Sequence, residues 1–246
     1  MAMAFRNSYE DATRADAYAT LAFKNTYYLA FRDLPAIIRE HVKGFRAVDF
    51  GCGTGRSTRF LRQLAFEVTG VDIAEEMIGK AREIDPKGDY RLVPGDNLSG
   101  LQAGAYDLVL SAFTFDNIAG REAKIALFKA IRQLLSIGGK IVHVVSAPEI
   151  YTHEWASFST RDFPENRNCH SGDKVKIMVT DHGDRRPVED ILWTEDSYRD
   201  VFTAAGLRTV TKYEPLASGH EPYPWVNETR IAPWAIYVLE PTREAS

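Results

Sequence analysis

The sequence predicts an α/β protein built on a doubly wound, seven-stranded sheet, mostly parallel with its last strand antiparallel. Two observations carry this. From Arg46 onward, short β-branched runs alternate with runs of helical period, the pattern of strand–helix–strand crossovers. The first strand also ends in a glycine-rich turn, VDFGCGTGRST (48–58), that opens straight into a helix. The size agrees: 246 residues with 45% hydrophobic side chains suffice for one domain that buries roughly 70–75% of its unfolded surface. Stability then needs neither disulfides nor metal.

Each element can be placed in order. RAVDF (46–50) is the first strand, and Phe60, Leu61 and Leu64 give the helix after the glycine turn its apolar face. EVTGVD (67–72) is the second strand, Met77, Ile78 and Ala81 mark the next helix, and YRLVPGD (90–96) and YDLVLSAF (106–113) are the third and fourth strands. Leu127, Phe128, Ile131, Leu134 and Leu135 recur at helical spacing. Gly138 and Gly139 are expected to end that helix, and KIVHVVS (140–146) reads as a buried fifth strand. Tyr198, Val201 and Phe202 place a helix that stops at Gly206, the sixth strand runs from Leu207 to Tyr213, and APWAIYVLE (232–240) is the seventh.

Two regions stand outside the alternation. Residues 1–45 read as a helical cap rich in Tyr and Phe, and 147–193 as an inserted lid. Within the lid, KVKIMVT and PVEDILW flank the turn Asp181-His182-Gly183-Asp184 and predict a β-hairpin. The expected organisation is a single domain over 1–246: cap 1–45, core 46–146, lid and hairpin 147–193, and a C-terminal part 194–246 that completes the sheet.

Composition argues against several classes of function. A net charge of −4 lacks the basic excess of a nucleic-acid binder, and no apolar run is long enough to span a membrane. Cys52 and Cys169 fit no metal-ligand or redox spacing. A reducing, cytoplasmic setting without metal is the expectation.

The glycine turn carries the sharpest chemical signal. Gly51, Gly53 and Gly55 let the backbone approach a ligand without Cβ interference, and the helix N-terminus beyond them presents free N–H groups to an anion. A dinucleotide site wants glycine at the sixth motif position. Here that residue is Arg56, and the fit is G-x-G-x-G. Asp49, two positions before the first glycine, would repel a pyrophosphate but suits an ammonium group.

This acid-plus-glycine pattern resembles the first motif of the class I S-adenosylmethionine-dependent methyltransferases, and the resemblance runs in order over about residues 46–240. It implies a Rossmann-like fold, S-adenosyl-L-methionine as cofactor, and roles for particular residues. Asp72, at the end of the second strand, would meet the ribose hydroxyls. Asp96 after the third strand, with its neighbour Asn97, would meet the adenine amino group. An N-terminal Ala15-to-Tyr18 pattern would set Tyr18 over the methionine end. The cofactor-binding set implied is Tyr18, Asp49, Gly51, Gly53, Gly55, Asp72, Ile73, Met77, Asp96, Asn97 and Ser111.

Topology nominates the acceptor side. In open α/β sheets ligands lie outside the C-terminal strand ends at the switch point, which brings in the loops after strands four, five and six. Tyr28, Phe113, Asp116, Tyr151, Trp155, Tyr223 and Trp225 are the candidate pocket residues, an aromatic set suited to a small apolar acceptor. His153, His170 and His220 are the candidate bases, whereas His143 alternates into a buried strand and reads as a satisfied core histidine. The expected activity is methyl transfer to an O, N or C nucleophile of a small molecule. Three other readings compete. A macromolecular acceptor is one, although the N/D-P-P-Y signature of nucleic-acid amino methylation is absent where FTFDNI stands. The others are a nicotinamide-dependent oxidoreductase, which Arg56 and Asp49 disfavour, and a non-catalytic binder of the same cofactor.

Overall fold

The computed structural model describes residues 23–95, 97–181, 184 and 186–242. Two short helices, α1 (Thr26–Arg32) and α2 (Leu34–His41), precede the sheet. The core then alternates β1 (Arg46–Phe50), α3 (Arg56–Gln63), β2 (Glu67–Asp72), α4 (Glu75–Ile84), β3 (Asp89–Leu92), β4 (Tyr106–Ala112), α5 (Arg121–Leu134) and β5 (Leu135–Ser146). An insertion carries β6 (Phe158–Ser159), β7 (Lys174–Val179) and β8 (Val188–Ile191), after which α6 (Glu195–Ala204), β9 (Leu207–Tyr213) and β10 (Trp234–Pro241) close the fold.

The main sheet has the order β3-β2-β1-β4-β5-β10-β9. Strands β1 to β5 pair in parallel, and β10 runs antiparallel to both β5 and β9. The seven strands, their mostly parallel sense and the reversed last strand match the expectation. The chain reverses its direction of winding between β1 and β4, so the ligand crevice falls at the ends of these two strands.

Successive side chains of a strand face opposite sides of a sheet, and the apolar residues divide accordingly. Ala47, Leu108, Leu110, Val142, Val144, Ile236 and Val238 share one core with α1, α2 and the insertion. Val48, Val109, Ile141, Tyr237 and Leu239 share the other with α5 and α6. Helix α5 commits Ile125, Phe128, Ile131 and Leu134 to this second core. Thr194 caps α6 by accepting a hydrogen bond from Ser197 N, and Glu195 and Asp196 sit in its first turn, where the helix dipole favours acids.

The structure differs from the sequence reading in two places. Helix α5 stops at Leu134, and Gly138 and Gly139 lie inside β5, not at a helix end. Tyr106 pairs with Leu135 but Leu108 with Lys140, so β5 carries extra residues there and bulges, with Gly138 at φ 84°. The predicted hairpin exists as β7 and β8, and it gains β6 to make a three-stranded antiparallel sheet. Its turn residues His182 and Gly183 lie outside the described residues. Alternate residues Val175, Ile177 and Val179 are buried against the first core.

Candidate active site

At the end of β1 the ladder continues into the turn, where Gly51 N and Cys52 N both donate to Val71 O, at 2.8 and 2.9 Å. Gly51 has φ 72°, and a Cβ there would run into the side chain of Thr114, whose hydroxyl donates to Phe50 O at 3.0 Å. Gly53 has φ 53°, and a Cβ on it would meet nothing within 4 Å. The first glycine is thus required by the protein's own packing, whereas the second borders open space.

Two acids flank this turn. Asp72 holds the loop with both oxygens, accepting from Gly53 N at 2.8 Å and from Ala74 N at 2.9 Å. Burial pushes its carboxyl up, against those backbone bonds. Asp49 is wholly buried, and one oxygen accepts from Ser57 Oγ at 2.7 Å and from Thr58 Oγ1 at 2.6 Å. Its other oxygen, Oδ1, is buried with no partner among the described residues. Burial raises the Asp49 carboxyl to about 6, with the two hydroxyls opposing. A buried carboxylate oxygen left without a donor is costly, and the amino group of an amino-acid-like ligand would satisfy it. With the open space at Gly53, this is where the residues fit such a ligand.

The remaining predicted cofactor residues are spread more widely. Met77 is buried in α4, Ile73 is about half exposed beside Asp72, and Ser111 is fully buried with no partner for Oγ among the described residues. Asn97 is exposed and accepts from Ser99 N at 3.1 Å. Tyr18 and Asp96 lie outside the described residues. Sequence reasoning missed Ser57, Thr58 and Thr114, whose hydroxyls lock the acid and the turn. Ser and Thr are too common near helix starts to stand out.

Over the crevice stands an aromatic wall. Phe113, at φ 64°, ends β4, and its ring lies 4.7 Å from Trp234 and 5.8 Å from Tyr27. Tyr27 also meets Phe158 of β6 at 5.1 Å, and the Arg56 guanidinium lies 5.0 Å from its ring centroid. A left-handed conformation at a bulky residue is uncommon and concentrates at functional sites.

The acceptor candidates separate into two groups. Tyr28, Phe113, Tyr223 and Trp225 are half-buried, with Tyr28 and Tyr223 rings 5.2 Å apart and Tyr223 and Trp225 likewise at 5.2 Å. Asp116, Tyr151 and Trp155 are interior. Trp155 Nε1 donates to Ile150 O at 2.9 Å, and Tyr151 Oη donates to Asp190 Oδ2 at 3.1 Å. Asp116 accepts from Ser146 Oγ at 2.8 Å and Ser146 N at 3.1 Å, while Lys124 Nζ donates to Phe115 O. Burial pushes the Asp116 and Asp190 carboxyls up and the Lys124 ammonium down. This polar knot joins the turn after β4 to α5, β5 and β8, and nothing in the sequence pattern announced it.

The three candidate bases do not converge. His153 is half-exposed, its Nδ1 within 3.1 Å of Glu149 O, and it lines a cleft of about 370 Å³ with Tyr151, Phe163, Arg167 and Asn227. His170 and His220 are exposed. His170 stands beside Asp173, at the end of the β7–β8 pair away from Asp181. His143 is buried as expected but is not satisfied: neither ring nitrogen has a partner among the described residues. It packs edge-on to Phe115 and Phe128, and burial holds its pKa well below the usual value.

Known proteins give an independent comparison. The family described as "Methyltransferase domain" matches residues 48–143, which run from β1 into β5. An uncharacterized methyltransferase of Bacillus thuringiensis is 29% identical over 156 residues, 63% of this chain and 70% of the relative. An S-adenosylmethionine-dependent methyltransferase from Clostridium acetobutylicum superposes with a TM-score of 0.62 at 14% identity, covering 92% of this chain and 94% of that one. DesVI of Streptomyces venezuelae gives 0.64 at 18% identity, covering 93% and 98%. Residues 48–143 are thus similar to a methyltransferase domain, and the fold over most of the chain is that of solved structures which include an S-adenosylmethionine-dependent methyltransferase.

Proposed function

We propose that the chain transfers the methyl group of S-adenosylmethionine to an O, N or C nucleophile of a small molecule, working as one domain. The observation that carries this is the roof over the glycine turn. It is made of the chain's own α1, β6 and Trp234, drawn together by the Tyr27 ring contacts. An acceptor reaching the crevice must fit among Phe113, Tyr28, Tyr223 and Trp225, which favours a compact, partly apolar molecule over a polymer.

The donor supplies a methyl carbon already activated by its sulfonium. The chain's residues bind and align. Asp49 Oδ1 receives the donor's ammonium, Asp72 keeps the turn in register and offers its carboxylate to the ribose, and the bare Gly53 leaves room for the ligand. The aromatic wall excludes water and orients the acceptor. Alignment of this kind is worth roughly 7–11 kcal/mol of the barrier. The candidate bases His153, His170 and His220 do not converge on one point, so an acceptor that is nucleophilic without an enzymatic base suits the site best.

The test is incubation of a metabolite extract with methyl-labelled donor and separation of the products. Label in the small-molecule fraction, with stoichiometric S-adenosylhomocysteine, is the expected result. Label confined to protein or nucleic acid would refute the small-molecule reading.

A further inference from the structure

Glu228 is wholly buried in the loop between β9 and β10, and every group around its carboxylate is a donor. One oxygen accepts from Thr26 Oγ1 and from Ala156 N, both at 2.7 Å. The other accepts from Val226 N at 2.8 Å and Asn227 N at 3.1 Å. Three segments distant in sequence thus meet on one side chain: the start of α1, the insertion and the C-terminal loop.

A second carboxylate repeats the arrangement beside it. Asp181 accepts from Asn25 Nδ2 at 2.8 Å and from Ser157 Oγ at 2.7 Å. Between the two acids Thr26 and Ser157 bond reciprocally, Thr26 N to Ser157 Oγ at 3.1 Å and Ser157 N to Thr26 Oγ1 at 2.9 Å. Trp234 Nε1 donates to Thr26 O at 2.7 Å. Asn25 occupies the N-cap position at φ 51° yet caps nothing with its side chain, which reaches Asp181 instead. A good capping residue in a strained conformation and diverted to another element marks a local cost accepted for tertiary placement.

What this placement controls is the next residue. Helix α1 has only seven residues, too few to be stable or oriented on its own, so its position is set by its anchors. Tyr27 follows Thr26 directly and stands among Phe113 of the strand-four tip, Phe158 of the insertion and Arg56, the first residue after the glycine turn. We propose that Glu228, seconded by Asp181, is a positioning residue: it clamps the start of α1 to the inserted sheet, fixes Tyr27 against the glycine-turn helix, and by releasing α1 sets the rate at which the donor exchanges. The proposal rests on the functional reading above insofar as it names S-adenosylmethionine as the molecule exchanged.

Because all four partners donate, Glu228→Gln must set its NH₂ group against at least one backbone N–H and loosen the clamp without changing side-chain volume. Thr26→Val removes the shared hydroxyl at nearly constant shape and reads the same clamp should the first variant fold poorly. The probe is S-adenosylhomocysteine, followed by stopped-flow fluorescence on the full chain, alongside amide hydrogen exchange.

In either variant, association and dissociation should each quicken about tenfold while Kd moves less than about threefold, the signature of an opened gate. Amides of residues 25–32 should lose protection while those of β1, β4 and β5 keep theirs. Unchanged rates and unchanged protection in both variants would overturn the proposal and leave Glu228 a support of its own loop. Weakened binding with protection lost across the sheet would overturn it too, since that is general structural damage. If the wild-type chain does not bind S-adenosylhomocysteine at all, the functional reading fails, and the exchange measurement alone still decides whether Glu228 holds α1.

Discussion

Asp49 concentrates the physics of the proposed donor site in one side chain: a carboxylate with one oxygen bound by two hydroxyls and the other buried without a donor among the described residues. Burial raises its pKa to about 6, above the usual value for an aspartate of about 3.9. Ionised Asp49 therefore costs the ligand-free fold something. Its contribution to stability is full below about pH 4, declines as the pH rises and is lost above about 6. Donor binding should run the opposite way, because a cationic amino group binds the ionised form. The affinity for S-adenosylhomocysteine should be flat above about pH 7 and fall below about pH 6, by up to about tenfold per unit. Asp49→Asn should bind weakly at every pH. Calorimetric titrations across that range check this, and a wild-type affinity independent of pH would remove Asp49 from the ammonium contact.

The histidines make the complementary prediction. Changed singly to Gln, His153, His170 and His220 should each keep label incorporation within about twofold, against the roughly 10²-fold or greater loss expected of a general base. A hundredfold loss in one of them would restore it as the base. The contrast shows what a sequence discloses at this scale. Asp49, the glycines and Asp72 could be nominated because a fixed spacing gathers them around one turn. Ser57 and Thr58 were not, being ordinary helix-start residues, and the Thr26–Glu228 bond joins positions 202 apart, which no local pattern can join.

Among elements, the glycine turn separates folding from function within three residues. Gly51→Ala should destabilise the fold, since its Cβ would collide with Thr114 at a positive φ; overpacking of this kind costs about 1–3 kcal/mol. Gly53→Ala meets no atom and should cost only the strain of a left-handed residue, about 1–2 kcal/mol, while intruding on the space the donor needs. Thermal melts and donor titrations on both variants should show the first losing more stability per unit of lost affinity. The reverse order would mean that the two glycines have been assigned the wrong roles. The main strands could be read in sequence because burial on both faces, between two apolar cores, leaves short continuous β-branched runs. The two-residue β6 is too short to have a period. The bulge in β5 was misread as a helix end because Gly138 and Gly139 punctuate a chain in the same way whether a helix stops or a strand kinks.

Across the whole molecule, an open sheet presents a crevice at its switch point, and the chain roofs that crevice with elements taken from its own two ends and its insertion. The cap helix, the inserted sheet and Trp234 share one apolar core with β1, β4 and β5. The mostly parallel sheet and its antiparallel last strand were implied by the sequence. The packing of the insertion onto the cap was not, because it depends on buried polar groups meeting across the fold. Calorimetry with S-adenosylhomocysteine and with NADH, on the unmodified chain, tests the central claim most directly. Binding of the sulfur compound near micromolar Kd, about −8 kcal/mol, with no measurable heat from NADH, is the predicted result. Binding of NADH without binding of S-adenosylhomocysteine would contradict the account at its root.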